Sequence, residues 1–203
     1  MSSSISGASL PEVDEARRRR GRRVALLILA LCAMPTVAAW LAYFVWQPES
    51  RGNYGELIEP RQLRDSELRL LDGRPFRFSQ LRGKWVMLHI DSGACSEECR
   101  KKLVYIRQAR LAQGKAVTRV ERVWLVTDSA APGDALAREF EGTQIVRAEG
   151  SAVLGEFPAA RSRADHIYVV DPLGNLMMRY PADPDPRRIV KDLARLLKAS
   201  RIG

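Results

Sequence analysis

From Val24 to Val45 the chain carries no charged residue and is rich in Leu, Ala and Val. At about 1.5 Å per residue, a helix of that length is matched to a hydrocarbon core of roughly 30 Å. The run therefore reads as a transmembrane helix, and whatever else the chain builds must be built after it. Pro35 lies near its middle, where bilayers tolerate a kink, and Trp40, Tyr43 and Trp46 suit an aromatic belt at the far interface. Arg17, Arg18, Arg19, Arg20, Arg22 and Arg23 stand immediately before it. Arginines on that side place the N-terminus in the cytoplasm and everything after Trp46 outside. A cleaved secretory signal is the alternative; the length of the run, and the lack of a small-residue cleavage site after it, favour a retained anchor. The organisation expected is a cytoplasmic basic arm over 1–23, an anchor over 24–46, a linker over 47–64 and one domain over 65–203.

The formal charge of +9 invites a nucleic-acid reading, but part of the excess sits in the arm. Residues 47–203 hold 27 Lys and Arg against 21 Asp and Glu, mixed along the length, so no nucleic-acid footprint is visible. A mildly cationic face suits an anionic membrane or an acidic partner. Of the three cysteines, Cys32 lies in the anchor, where a small apolar residue needs no special role. Cys95 and Cys99 remain, in a compartment that permits oxidation. The count excludes a framework of stapling disulfides and leaves a single bridge, a redox couple or a metal site.

The soluble part alternates between two periods. Leu68–Leu71 and Phe76–Phe78 flank Asp72-Gly73 as a hairpin, and Lys84–Ile90 is a short apolar run typical of a buried central strand. Helical spacing follows over Ser96–Leu111, then a strand over Arg122–Thr127 and a helix over Asp134–Phe140. A weak strand over Thr143–Val146 and a helical turn over Ala152–Phe157 come next. His166–Asp171 and Leu176–Tyr180 form a second hairpin. The last helix opens with Asp185 as N-cap and Pro186 at its first position, with Ile189, Leu193, Leu196 and Leu197 on one face. This is an α/β pattern, with both thiols at the carboxyl end of a central strand. A thiol in the first turn of the following helix would face unsatisfied N–H groups that favour the thiolate.

Leu81-Arg82-Gly83-Lys84-Trp85-Val86-Met87-Leu88, the C-x-x-x-C, Asp165-His166 and Ile167-Tyr168-Val169-Val170-Asp171-Pro172-Leu173-Gly174-Asn175 together resemble the Sco/SenC family. The likeness runs over roughly Leu68 to Leu197 and includes the anchor-then-domain layout. It implies a thioredoxin-like sheet flanked by helices, preceded by one transmembrane helix. It implies copper as the bound metal, with Cys95 and Cys99 matching the family's thiols and His166 standing for its histidine. It also implies a partner, the copper-site subunit of cytochrome c oxidase or another assembly factor, and a bacterial inner membrane with the domain in the periplasm.

The residues by themselves leave several roles open. Thiols at i and i+4 share a helical face and suit Cu(I), with an imidazole as third ligand. The same pair could be catalytic in a membrane-tethered thiol–disulfide oxidoreductase, Cys95 attacking and Cys99 resolving. A purely structural bridge is the weaker reading, because so small a loop contributes only about 2 kcal/mol or less. A scaffold without thiol chemistry is a third possibility, and whether the chain is an enzyme stays open. His89, flanked by apolar residues, reads as a core histidine, and Asp91 as a turn former or a group that tunes the thiolate. Met177 and Met178 are assigned to packing, and Asp183 and Asp185 to loop and cap.

Overall fold

The computed structural model describes residues 12–45 and 53–200, with side chains over 17–41 of the first stretch. The chain divides into two compact units, residues 1–51 and 52–203. The first contains helix α1 (Glu12–Val45), which carries Pro35 within it. Its stretch Arg17–Leu41 is long enough, and over 18 consecutive residues apolar enough, to cross a membrane. The helix takes in the second half of the expected basic arm, for Glu, Ala and Arg are all good helix formers. Trp46 and the side chain of Tyr43, assigned to an interfacial belt, lie outside the described residues.

The second unit is an eight-stranded mixed sheet. Its strands are β1 (Glu56–Gln62), β2 (Leu68–Leu70), β3 (Pro75–Phe76), β4 (Trp85–Asp91), β5 (Val120–Val126), β6 (Gln144–Arg147), β7 (Ile167–Val170) and β8 (Asn175–Arg179). The spatial order is β1-β8-β7-β4-β5-β6-β2-β3. Helices α2 (Glu97–Leu111), α3 (Asp134–Glu139) and α4 (Pro186–Ala199) complete it. β4 runs parallel to β5 on one side and antiparallel to β7 on the other. Both faces of β4 are covered, which is why its sequence is a continuous apolar run rather than an alternation.

The two faces are covered differently. Val86, Leu88 and Ile90 pack with Val123, Leu125, Phe76, Phe78, Val153 and Phe157, beneath 3-10 turns over Phe78–Leu81 and Ala152–Glu156. Trp85 and Met87 pack with Ile106 of α2 and with Ile189, Leu193 and Leu197 of α4. Trp124 and Val126, on that same face, meet Cys99 and Leu103 of α2 and Phe140 beyond α3. All three of these α-helices therefore cover one face. The expected cap of α4 is present: Asp185 Oδ1 accepts from the Arg187 N–H at 2.8 Å, with Pro186 at the start of the helix.

One strand escapes the sequence pattern. Residues 56–62, within the stretch expected as linker, form β1 against β8 with a shift of register between Leu57 and Arg61. β1 is an exposed edge strand, so it lacks alternation and tolerates Pro60. Contacts before it tie the segment to α4. The Gly55 N–H donates to Asp192 Oδ2 at 2.9 Å, Tyr54 Oη accepts from the Asp185 N–H at 3.0 Å, and the Arg188 guanidinium lies 3.8 Å over the Tyr54 ring. Asp192 is buried, and the Tyr180 hydroxyl near it is held well above the ordinary phenol pKa by burial and by that carboxylate. Asp192→Ala leaves the buried Gly55 donor unpaired. It is expected to cost about 1–3 kcal/mol in chemical denaturation, whereas Asp192→Asn, which keeps an acceptor, should cost less.

Candidate functional site

β4 ends at Asp91, and the chain turns through Ser92–Cys95 before α2 begins at Glu97. Cys95 and Cys99 are joined in a disulfide with Cα atoms 5.2 Å apart. Of the alternatives open in the sequence, the structure takes the bridge. The two sulfurs differ in environment, since Cys95 is half-buried and Cys99 fully buried against Trp124 and Phe140. Cys95 adopts φ 43°, and among the described residues it alone is non-glycine with positive φ. That left-handed residue reverses the chain ahead of Ser96, the N-cap, whose Oγ accepts from the Cys99 N–H at 3.3 Å. The first-turn thiol is thus Cys99, while Cys95 precedes the cap. Glu97 and Glu98, in the first turn, complement the helix dipole from solvent.

The loop before Cys95 is held by the segment after β5. Asp128 Oδ1 accepts from the Gly93 N–H at 2.9 Å, and Ser92 Oγ accepts from the Ala94 N–H at 3.1 Å. The Ser92 hydroxyl and then the Gly93 N–H hold the Asp128 carboxyl below its usual pKa. Gly93 packs so close to the Ala130 carbonyl oxygen that a Cβ there would collide with main chain. A cleft of about 380 Å³ opens beside the loop, lined by Asp91, Ser92, Thr127, Arg161 and Arg163 among others.

Beside the bridge lies a group that includes His89, expected as a core residue. A ring nitrogen of His89, a carboxylate oxygen of Asp91 and Cys99 Sγ all fall within 4.8 Å of one another. Asp91 is one turn of the pleat beyond His89, so both project to the helix-covered face, the same one that carries Trp124 and Val126. His89 is fully buried, as expected of a core histidine, with Nδ1 3.1 Å from the His166 carbonyl oxygen. Its Nε2 is 3.4 Å from Asp91 Oδ2 and has no hydrogen-bond partner. Asp91 does cap a turn as well, its Oδ1 accepting from the Ser92 N–H at 2.8 Å.

His166, expected as third ligand, is not in this group. Its Nδ1 lies 2.8 Å from the Tyr180 carbonyl oxygen, and its ring meets the edge of Tyr168 with centroids 5.9 Å apart. Ile167, not His166, is the register partner of His89 across β4 and β7. Alternation then puts His166 with Tyr168, on the face opposite His89. The signal that could have found His89 was period-two spacing: two polar residues, His89 and Asp91, on one face at the thiol end of an otherwise apolar strand. Met178 is buried and Met177 half-buried, both packed with the α4 residues of the core, which agrees with their assignment to packing.

Residues 85–200 match the family described as transmembrane-like, thioredoxin-like, C-terminal domain. No curated protein matches the sequence. Among solved structures, copper-bound yeast Sco1 superposes with a TM-score of 0.57 at 15% identity, covering 70% of this chain and 96% of that one. BsSco, a member of the Sco family of cytochrome c oxidase assembly proteins in which a disulfide switch was identified, gives 0.54 at 12% identity over 70% and 96%. A putative protein disulfide isomerase from Bacteroides thetaiotaomicron gives 0.51 at 18% identity over 72% and 90%. At these identities the likeness is one of fold, and it is the fold expected from the sequence.

Two changes test how the loop is held. Gly93→Ala forces the Ala130 carbonyl away and is expected to cost about 1–3 kcal/mol of stability. The folded Asp128 carboxyl is depressed, so its contribution is fully present above the unfolded value of about 4 and is lost as pH falls through the lower folded value. Asp128→Asn should therefore flatten the acid limb of a stability–pH curve and leave its slope at neutral pH unchanged.

Proposed function

The chain belongs to the transmembrane-like, thioredoxin-like C-terminal domain family, and on that premise we propose that it is a membrane-anchored, Sco-like assembly factor for cytochrome c oxidase that takes copper on Cys95 and Cys99. The observation that carries this reading is the placement of the two sulfurs together at the carboxyl end of β4, one half-buried and one buried, with the unpaired His89 Nε2 beside them. Reduction opens the bridge to two thiols, whose thiolates are soft donors suited to Cu(I), and Cys95 is the half-buried, more accessible of the two. Copper is cargo here, received and handed on. α1 holds the domain at a bacterial inner membrane, with the arginine-rich arm of 1–23 in the cytoplasm, 24–46 across the bilayer, and the sheet domain, from β1 onward, in the periplasm. The partner in this reading is the oxidase subunit that receives copper, or another assembly factor.

The unequal burial of the two sulfurs favours a second reading, a tethered thiol–disulfide oxidoreductase. The Cys95 thiolate attacks a partner disulfide and one partner thiolate leaves. Cys99 then displaces the other, so two electrons pass to the partner and the Cys95–Cys99 bridge closes.

Copper titration of the full-length protein in detergent, under reducing conditions, separates the readings. Cu(I) is expected to bind at one equivalent, and Cys95→Ser or Cys99→Ser should weaken it by at least about tenfold. Absence of binding, or binding indifferent to both substitutions, rejects the copper role. A mixed disulfide trapped through Cys95 in the Cys99→Ser protein supports the oxidoreductase. Normal oxidase assembly with both cysteines replaced would leave only a scaffold.

A further inference from the structure

His89 is the one histidine facing the bridge, and its hydrogen bonding determines what it can do. A main-chain carbonyl only accepts, so Nδ1, 3.1 Å from the His166 oxygen, carries the ring proton. In the neutral ring, Nε2 then keeps its lone pair. It lies 3.4 Å from Asp91 Oδ2, in a group that Cys99 Sγ completes within 4.8 Å, and it has no hydrogen-bond partner. Three electron-pair donors facing one another inside a protein are stabilised by a positive charge among them.

The surroundings are those of a ligand set. Imidazole ligands are commonly oriented by giving the other ring N–H to a backbone carbonyl, and ligating carboxylates are themselves hydrogen-bonded. His89 has the first arrangement through the His166 carbonyl, and Asp91 the second through the Ser92 N–H at 2.8 Å. Donors around a tetrahedral ion at metal–ligand distances of about 2.0–2.3 Å stand roughly 3.5 Å apart. The three atoms here lie within 4.8 Å, and a sulfur released from the bridge can turn about its Cα–Cβ bond to close the difference.

We propose that His89 Nε2 and Asp91 Oδ2 complete, with the sulfurs of Cys99 and Cys95, a four-donor site for a first-row transition-metal ion that exists only when the bridge is reduced. The proposal rests on the copper reading above for the identity of the natural cargo, but not for its ligand geometry. Opening the site requires a dithiol reductant. Its two thiols close to a disulfide, the Cys95–Cys99 bond breaks, and two electrons and two protons arrive on the two sulfurs. The incoming ion displaces those protons to solvent. Two thiolates alone suit Cu(I); adding an imidazole and a carboxylate extends the site to divalent ions that prefer nitrogen and oxygen. His166, on the other face, acts on the site only through its main-chain carbonyl.

Co(II) is the probe, added to the reduced full-length protein in detergent and followed by its thiolate charge-transfer and d–d absorption. The wild type is expected to give a tetrahedral spectrum that Cys99→Ser abolishes. His89→Gln and Asp91→Asn should each lower Co(II) affinity by at least about tenfold and shift the d–d bands. Binding by Asp91→Asn indistinguishable from the wild type overturns the four-donor site. So does loss of the spectrum on His166→Ala, which retains the carbonyl, with none on His89→Gln. Should the buried His89→Gln protein fail to fold, Asp91→Asn at the half-buried position decides. Cu(I) bound through the cysteines, with Co(II) insensitive to His89 and Asp91, rejects this inference and leaves the copper reading standing. Failure of both ions to bind rejects both.

Discussion

The hydrogen-bonded register of β4 between β5 and β7 is the constraint from which the rest follows. Trp85 to Asp91 pair in step with Val120 to Val126 on one side, and Val86 to His89 pair with Val170 to Ile167 on the other. A strand locked on both sides cannot slip, because a one-residue shift would exchange the whole of Trp85, Met87 and His89 for Val86, Leu88 and Ile90 between two differently packed faces. The same lock determines where β4 stops, and so where the Ser92–Cys95 turn and the start of α2 must lie.

The site is the consequence of that fixed end. The chain reverses through a left-handed Cys95, Ser96 caps α2, and Cys99 comes to rest over the last residues of β4. The post-β5 segment restrains the turn through Asp128 and through a contact that only a glycine at position 93 allows. The arrangement keeps one sulfur accessible and the other dry. A pair exposed equally would lack that division, and a pair buried equally could not exchange with a partner.

Most elements were legible because their signals are local. The Asp72-Gly73 hairpin, the Asp185-Pro186 start of α4 and the apolar run of β4 each follow from a few neighbouring residues, and all three stand within a residue or two of expectation. β1 was not legible, since an edge strand exposed along most of its length carries no alternation and its partner β8 lies more than a hundred residues away. The closeness of His89 to the sulfurs was also hidden. Apolar flanks mark a buried histidine, but not whether its second nitrogen is satisfied.

The sequence by itself determined the membrane-length helix, the α/β alternation of strands and helices, and the placement of Cys95 and Cys99 at a strand end. Each depends on composition, period or spacing over a short stretch of chain. Only the tertiary structure decided which imidazole accompanies the sulfurs. His89 lies in β4 and His166 immediately precedes β7, the strand paired with it, and the face each ring occupies is set by the register of β4 on β7. That quantity belongs to the pair of strands, and neither strand carries it alone.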